Sequence, residues 1–115
     1  MFSTEHVPAG RSVITEGDEG SRFYIIVRGK VAVTATNDKQ DPIRVATLDD
    51  GDYFGEISLL ANIPTTATVT TLTPSIFLTL QREQLNKLVQ QYAGLGAQMR
   101  EALEDRLAQI HALTS

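Results

Sequence analysis

The stretch from Tyr53 to Val69 holds the residues of this chain whose types and spacing could do chemistry. Its pattern predicts a strand end, a glycine, about one helical turn, an Asn-Pro loop and then a β-branched strand. A helix that starts after a glycine exposes backbone N–H groups, which can hold an anion. Glu56 lies in that first turn and adds a carboxylate, an acceptor suited to sugar hydroxyls. Amide donors beside a carboxylate fit a phosphorylated sugar.

Composition limits the functions that the chain can have. With 115 residues it is long enough for one domain with a single hydrophobic core. Its net charge of −4 argues against a nucleic-acid surface, because phosphate backbones bind to basic faces. It has no cysteine, and its apolar runs are shorter than the roughly 18 residues of a membrane span. We therefore expect a cytoplasmic protein, or the cytoplasmic domain of a membrane protein.

The segments on both sides of this stretch read as short strands separated by Gly and Asp turns. Alternating or β-branched apolar residues predict strands over 12–15, 22–27, 30–36, 43–48, 67–72 and 75–80. Short strands at this spacing are typical of an antiparallel sandwich or barrel. The sequence therefore predicts a mainly β domain.

The last part of the chain changes to helical periodicity. Leu85, Leu88 and Val89 predict a helix over 82–92, and a second helix is expected over about 95–113. The second helix has one narrow apolar stripe, formed by Leu95, Met99, Leu103, Leu107 and Ile110. Such a stripe can dock on a barrel or pair with another helix, so it is also a candidate surface for self-association or a partner.

The stretch around Glu56 resembles the phosphate-binding cassette of cyclic nucleotide-binding domains. The family's pattern is matched by Phe54, Gly55, Glu56, Ile57, Ser58, Leu59, Leu60, Pro64, Thr66, Ala67, Thr68 and Val69. Turn glycines at Gly17, Gly29 and Gly51 also resemble the family, and the likeness covers about residues 7–89. It implies an antiparallel double-sheet jelly-roll barrel over about residues 2–81, with a short helix in the cassette and C-terminal helices over about 82–113.

The resemblance also implies a ligand and roles for residues. In the family, the glutamate that matches Glu56 accepts from the ribose 2′-hydroxyl, and amides that match Ser58 and Thr66 face the cyclic phosphate. We predict a site for cyclic AMP or cyclic GMP, with no metal and no cofactor. The predicted ligand-binding set is Gly55, Glu56, Ile57, Ser58, Thr65, Thr66 and Ala67.

Thr65 departs from the family's pattern, which has a phosphate-binding arginine at this position. A threonine offers one neutral hydroxyl in place of a charge-assisted bond, a loss of about 1.5–3 kcal/mol, or roughly ten- to 150-fold in affinity. The departure leaves two alternatives. The chain is a regulatory module that binds a cyclic purine nucleotide, or a degenerate barrel that serves as an interaction or dimerisation module.

We expect a sensor without catalytic activity, which relays ligand binding through its C-terminal helices and can form part of a larger signalling protein. A metal-dependent enzyme on a similar barrel would need clustered ligands, whereas His6 and His111 are isolated in the sequence. Arg100, Arg106 and Leu103 are candidates to cover the base from the last helix. For the two arginines, the pattern favours a solvated helix face.

Overall fold

Two antiparallel sheets form the body of the molecule in the computed structural model, which describes residues 3–92 and 94–114 and, for Leu103, the backbone. The strands are β1 (Ser3–Val7), β2 (Ser12–Ile14), β3 (Arg22–Arg28), β4 (Lys30–Thr36), β5 (Pro42–Asp49), β6 (Tyr53–Phe54), β7 (Thr68–Thr71) and β8 (Ser75–Gln81). Within the described residues, one sheet has the order β1-β8-β3-β6 and the other β2-β7-β4-β5. The predicted mainly β, double-sheet fold is confirmed.

Inward-facing aromatic side chains form the centre of the core. The Tyr24 ring stacks on the Phe54 ring with centroids 4.8 Å apart, and the Phe77 ring meets both edge-on. Ile26 and Val31 pack against this cluster and are almost completely buried. Phe54 is the last residue of β6, so the cluster fixes the point at which the cassette leaves the sheet.

The strand β1 is an element that the sequence did not reveal. It pairs antiparallel with β8, with Ser3 opposite Thr79 and Val7 opposite Ser75. Its residues are mostly polar and only partly buried, since β1 lies at the edge of its sheet. An edge strand of this composition has no alternation of apolar residues from which a strand could be predicted.

Three helices complete the described residues: α1 (Glu56–Ala61), α2 (Arg82–Gln91) and α3 (Leu95–Thr114). A capping box between Gln81 and Gln84 begins α2, and Leu85 is buried under it. In residues 3–92 and 94–114 we find no helix with the length and apolar character that crossing a membrane requires.

The apolar stripe of α3 docks on the barrel of its own chain. Met99 is buried with Phe23 and Leu80, and Leu95 packs against the same cluster. Further along α3, Ile110 packs against a second cluster around Val45. Leu107 is half-buried, and the side chain of Leu103 lies outside the described part. The structure therefore favours docking as the role of this stripe, and self-association stays a prediction.

Candidate functional site

Gly55 makes the turn from β6 into α1. Its φ of 89° lies in the left-handed region, and a Cβ at this position would be 2.6 Å from the Arg22 carbonyl oxygen. Both constraints exclude other residues from an unstrained turn. The turn directs Glu56, Ile57 and Ser58 into the protein, where all three are buried.

We expect Gly55→Ala to lower the free energy of unfolding by about 2 kcal/mol, since the left-handed backbone and the carbonyl contact both disfavour a side chain. Gly51→Ala is the matched control, because Gly51 has a φ of 88° and an added Cβ there meets nothing within 4 Å. Urea denaturation of both variants measures the difference. Equal losses would show that the Arg22 contact contributes nothing.

A cavity of about 120 Å³ lies between the cassette, β4, β5 and α3. Its walls include every member of the predicted ligand-binding set, namely Gly55, Glu56, Ile57, Ser58, Thr65, Thr66 and Ala67. Val33, Val45 and Leu48 line it from the sheet. Three residues of α3, Arg106, Gln109 and Ile110, also line it, and the Gln109 side-chain amide donates to the Val45 carbonyl at 3.3 Å. The fold thus brings the whole predicted set around one space, which α3 covers.

Glu56 is a fully buried carboxylate in the wall of this cavity. Its Oε1 accepts a hydrogen bond from Arg106 Nη1 at 2.5 Å, whereas its Oε2 has no partner among the described residues. Burial raises the pKa of Glu56 above its ordinary value, and the Arg106 guanidinium and the backbone amide of Glu56 itself oppose that rise without cancelling it. A buried acceptor without a donor is costly, so a ligand that donates a hydrogen bond to Glu56 Oε2 would be favoured.

Arg106 connects α3 to the cassette. Its guanidinium pairs with Glu56 and also lies over the Tyr53 ring, 4.6 Å from the centroid, in a cation–π contact. The expectation that Arg106 belongs to a solvated helix face was therefore wrong, while Arg100 is exposed as expected. A signal was available, since Arg106 shares the docked face of α3 with Met99.

Thr65 fastens the cassette to the loop between β2 and β3. Its hydroxyl lies 2.6 Å from the Thr15 carbonyl oxygen and 3.1 Å from the Asp18 carbonyl oxygen, and donates to this pair of acceptors. Its backbone amide donates to the Asp18 carbonyl, and its carbonyl accepts from the Gly17 amide, both at 2.8 Å. Thr65 is therefore a structural residue of the site, a role that the sequence pattern did not predict.

The histidines stand apart from this site. His6 lies on β1 and His111 on α3, and both are exposed. Across the ranges that the structure describes, no cluster of three or more His, Cys, Asp or Glu side chains is arranged to hold a metal ion.

A double-sheet barrel with a glycine-led cassette, a buried glutamate and a covering C-terminal helix is the architecture of a cyclic nucleotide-binding domain. The family model described as the cyclic nucleotide-binding domain matches residues 4–92. The chain therefore belongs to this family, as the cassette predicted.

Relatives and solved structures agree with this assignment. A cAMP-dependent protein kinase regulatory subunit from Dictyostelium discoideum is 43% identical over 82 residues, which are 69% of this chain and 25% of that protein. The structure of the regulatory subunit of a cAMP-independent protein kinase A from Trypanosoma cruzi, bound to guanosine, has a TM-score of 0.73 at 32% identity. That match covers 75% of this chain and 30% of the trypanosome chain.

The catabolite activator protein of Thermus thermophilus is similar over more of this chain. Its structure has a TM-score of 0.82 at 28% identity, and the match covers 97% of this chain and 52% of the Thermus chain. The likeness includes the helical part, because it extends beyond the barrel. The chain spans about a quarter of the length of the Dictyostelium relative (25%).

Proposed function

We propose that this chain is a regulatory module that binds a purine ligand through its ribose and reports the binding through α3. The observation that carries the proposal is the Glu56 carboxylate, which shares one oxygen with Arg106 and leaves the other without a partner. The names of two relatives support it, since one is cAMP-dependent and another is bound to guanosine. Cyclic AMP and guanosine have in common a purine base and a ribose.

In this proposal, Glu56 Oε2 accepts a hydrogen bond from the ribose 2′-hydroxyl. The rest of the predicted set surrounds the sugar and its 5′ end, and consists of Gly55, Ile57, Ser58, Thr65, Thr66 and Ala67. Val33, Val45 and Leu48 provide an apolar wall suited to a purine. Cyclic AMP and cyclic GMP stay the ligands that the resemblance predicts, and the chemistry is binding without catalysis.

The covering helix provides the relay. Small-molecule sites usually enclose about 300–1,000 Å³, whereas this cavity has about 120 Å³ with α3 in place. In this proposal, α3 shifts to admit a purine ligand. Arg106 and Gln109 are the α3 contacts that such a shift would change, because both reach residues of the cavity wall. A ligand that binds one arrangement of α3 more tightly than the other biases the equilibrium between them.

Hydrogen exchange with and without ligand tests this proposal. We expect saturating adenosine, guanosine, cyclic AMP or cyclic GMP, whichever binds, to change the exchange of amides in α3 (Leu95–Thr114). Amides of β1 (Ser3–Val7), which is far from the cavity in the sheet order, are the internal control. Binding without any change in α3 would contradict the relay, and failure of every ligand to bind would contradict the module.

A degenerate barrel that acts as an interaction module is the second candidate. The engagement of the Thr65 hydroxyl in the loop and the small cavity favour it. Against it, the stripe that was its predicted contact surface is partly occupied, because Leu95, Met99 and Ile110 pack on the barrel. Concentration-dependent association in the absence of any ligand binding would support this candidate.

A further inference from the structure

Among the described residues, the lining of the cavity has no net charge to balance a phosphate. Among its lining residues, Glu56 and Arg106 are the ones with ionisable side chains, and they pair with each other. Their charges cancel, so a cyclic nucleotide would bring one uncompensated negative charge into a site that is largely apolar. Burying a charge without a partner is strongly unfavourable.

Thr65 does not make up for the missing cation. A hydroxyl has one proton, and that of Thr65 is already donated to the carbonyl oxygens of Thr15 and Asp18. At the position where the family's arginine would contact the phosphate, this chain therefore has a neutral side chain whose donor is engaged elsewhere.

Arg82, which contacts the cassette helix, is also engaged. Arg82 Nη1 donates to the Leu59 carbonyl at 3.1 Å, and Nη2 donates to the Gly20 carbonyl at 3.2 Å. These bonds tie the end of α1 to the β2–β3 loop, and Arg82 is not among the residues that line the cavity. It is therefore a structural clamp and not a counter-charge for a ligand.

Glu56 Oε2 lacks a hydrogen-bond donor, and an uncharged ribose supplies one. Glu56 Oε2 is buried without a partner, and a sugar hydroxyl can donate a hydrogen bond to it without bringing a charge into the cavity. Any cassette amides that face the ligand can also donate to the neutral 5′-hydroxyl oxygen.

We infer that this site prefers an uncharged purine ribonucleoside to the corresponding cyclic nucleotide. The inference rests on the proposed function and specifies its ligand class. The preference rests on a cavity without net charge and an engaged Thr65 hydroxyl, whereas the carboxylate oxygen that lacks a donor would accept from the 2′-hydroxyl of either ligand.

Calorimetric titration of the unmodified chain tests this preference with adenosine against cyclic AMP and guanosine against cyclic GMP. We expect the tighter-binding nucleoside to have an affinity at least about tenfold higher than its own cyclic nucleotide. Equal or tighter binding of the cyclic nucleotide would overturn the inference and leave the proposed function standing. Binding of neither class would overturn both.

Thr65→Arg tests the charge directly, with Thr65→Gln as the uncharged control that loses the same hydroxyl. We expect the arginine, relative to glutamine, to raise the ratio of cyclic AMP affinity to adenosine affinity roughly ten- to 150-fold. Equal gains for both ligands would overturn the argument from charge. Circular dichroism establishes that each variant is folded, and if one is not, the titration of the unmodified chain decides.

Discussion

Replacement of Arg106 by methionine should lower the free energy of unfolding by about 3 kcal/mol near neutral pH, the lower end of the cost of breaking a buried ion pair. Methionine keeps an apolar contact with the Tyr53 ring but removes the partner of a fully buried carboxylate. The lower end applies because 27% of the Arg106 side chain is exposed, so water already screens part of the interaction.

The pH dependence of this loss has a definite sign. Burial raises the pKa of Glu56 in the folded protein, so between the unfolded and folded pKa values the folded state binds more protons. The associated stability is fully present below the unfolded pKa of about 4.3 and is lost as the pH rises through the folded pKa. Because Arg106→Met removes the cation that opposes the shift, the variant should lose more stability at about pH 8 than at about pH 5.

Denaturation with urea at both pH values measures this effect. The control is the double variant Glu56→Gln with Arg106→Met, in which no buried charge is left without a partner. We expect the double variant to recover most of the stability and to lose the additional pH dependence. If it keeps the same pH dependence, a group other than Glu56 is responsible.

Replacement of Glu56 by glutamine should weaken the binding of a purine ribonucleoside roughly five- to tenfold and leave the fold intact, because a charged acceptor becomes a neutral one. Glutamine has nearly the same shape as glutamate. Because it is neutral, it also avoids the cost of burying a charge, which is the cause of the raised pKa of Glu56. The binding loss is therefore not expected to come from unfolding.

A ligand without the 2′-hydroxyl identifies the atom that Glu56 contacts. If Glu56 accepts from the 2′-hydroxyl, deoxyadenosine should bind the unmodified chain more weakly than adenosine does, and Glu56→Gln should make the two ligands similar. Titration of the unmodified chain and of Glu56→Gln, each with adenosine and with deoxyadenosine, gives the coupling energy between the residue and the hydroxyl. Additive losses would place Glu56 outside the ribose contact.

The part of the fold that could be predicted is the part whose signal is local. Residues 22–27, 30–36 and 43–48 alternate or are rich in apolar β-formers, and they became β3, β4 and β5. The edge strand β1 escaped prediction, because its pairing with β8 depends on a strand far along the chain. Backbone pairing of this kind leaves no periodicity in a polar segment.

In the candidate site, too, the local features could be predicted and the contacts between distant parts of the chain could not. The cassette is one continuous stretch, so its turn glycine and its glutamate could be read from spacing alone. Arg106 reaches Glu56 only because α3 docks across the cavity, and helical periodicity alone cannot say which neighbour a polar residue on a docked face will meet. The role of Thr65 depends on the carbonyl groups of Thr15 and Asp18, which a side-chain pattern does not encode.

The pairing of Glu56 with Arg106 has a consequence for any segment or partner that acts on α3. In the proposed mechanism, the ligand and the docked position of α3 oppose each other, so their effects are thermodynamically reciprocal. Whatever presses α3 onto the barrel lowers ligand affinity by the same factor by which the ligand loosens the helix. A protein joined to the end of α3 would therefore set the ligand concentration at which the module responds, without touching the cavity.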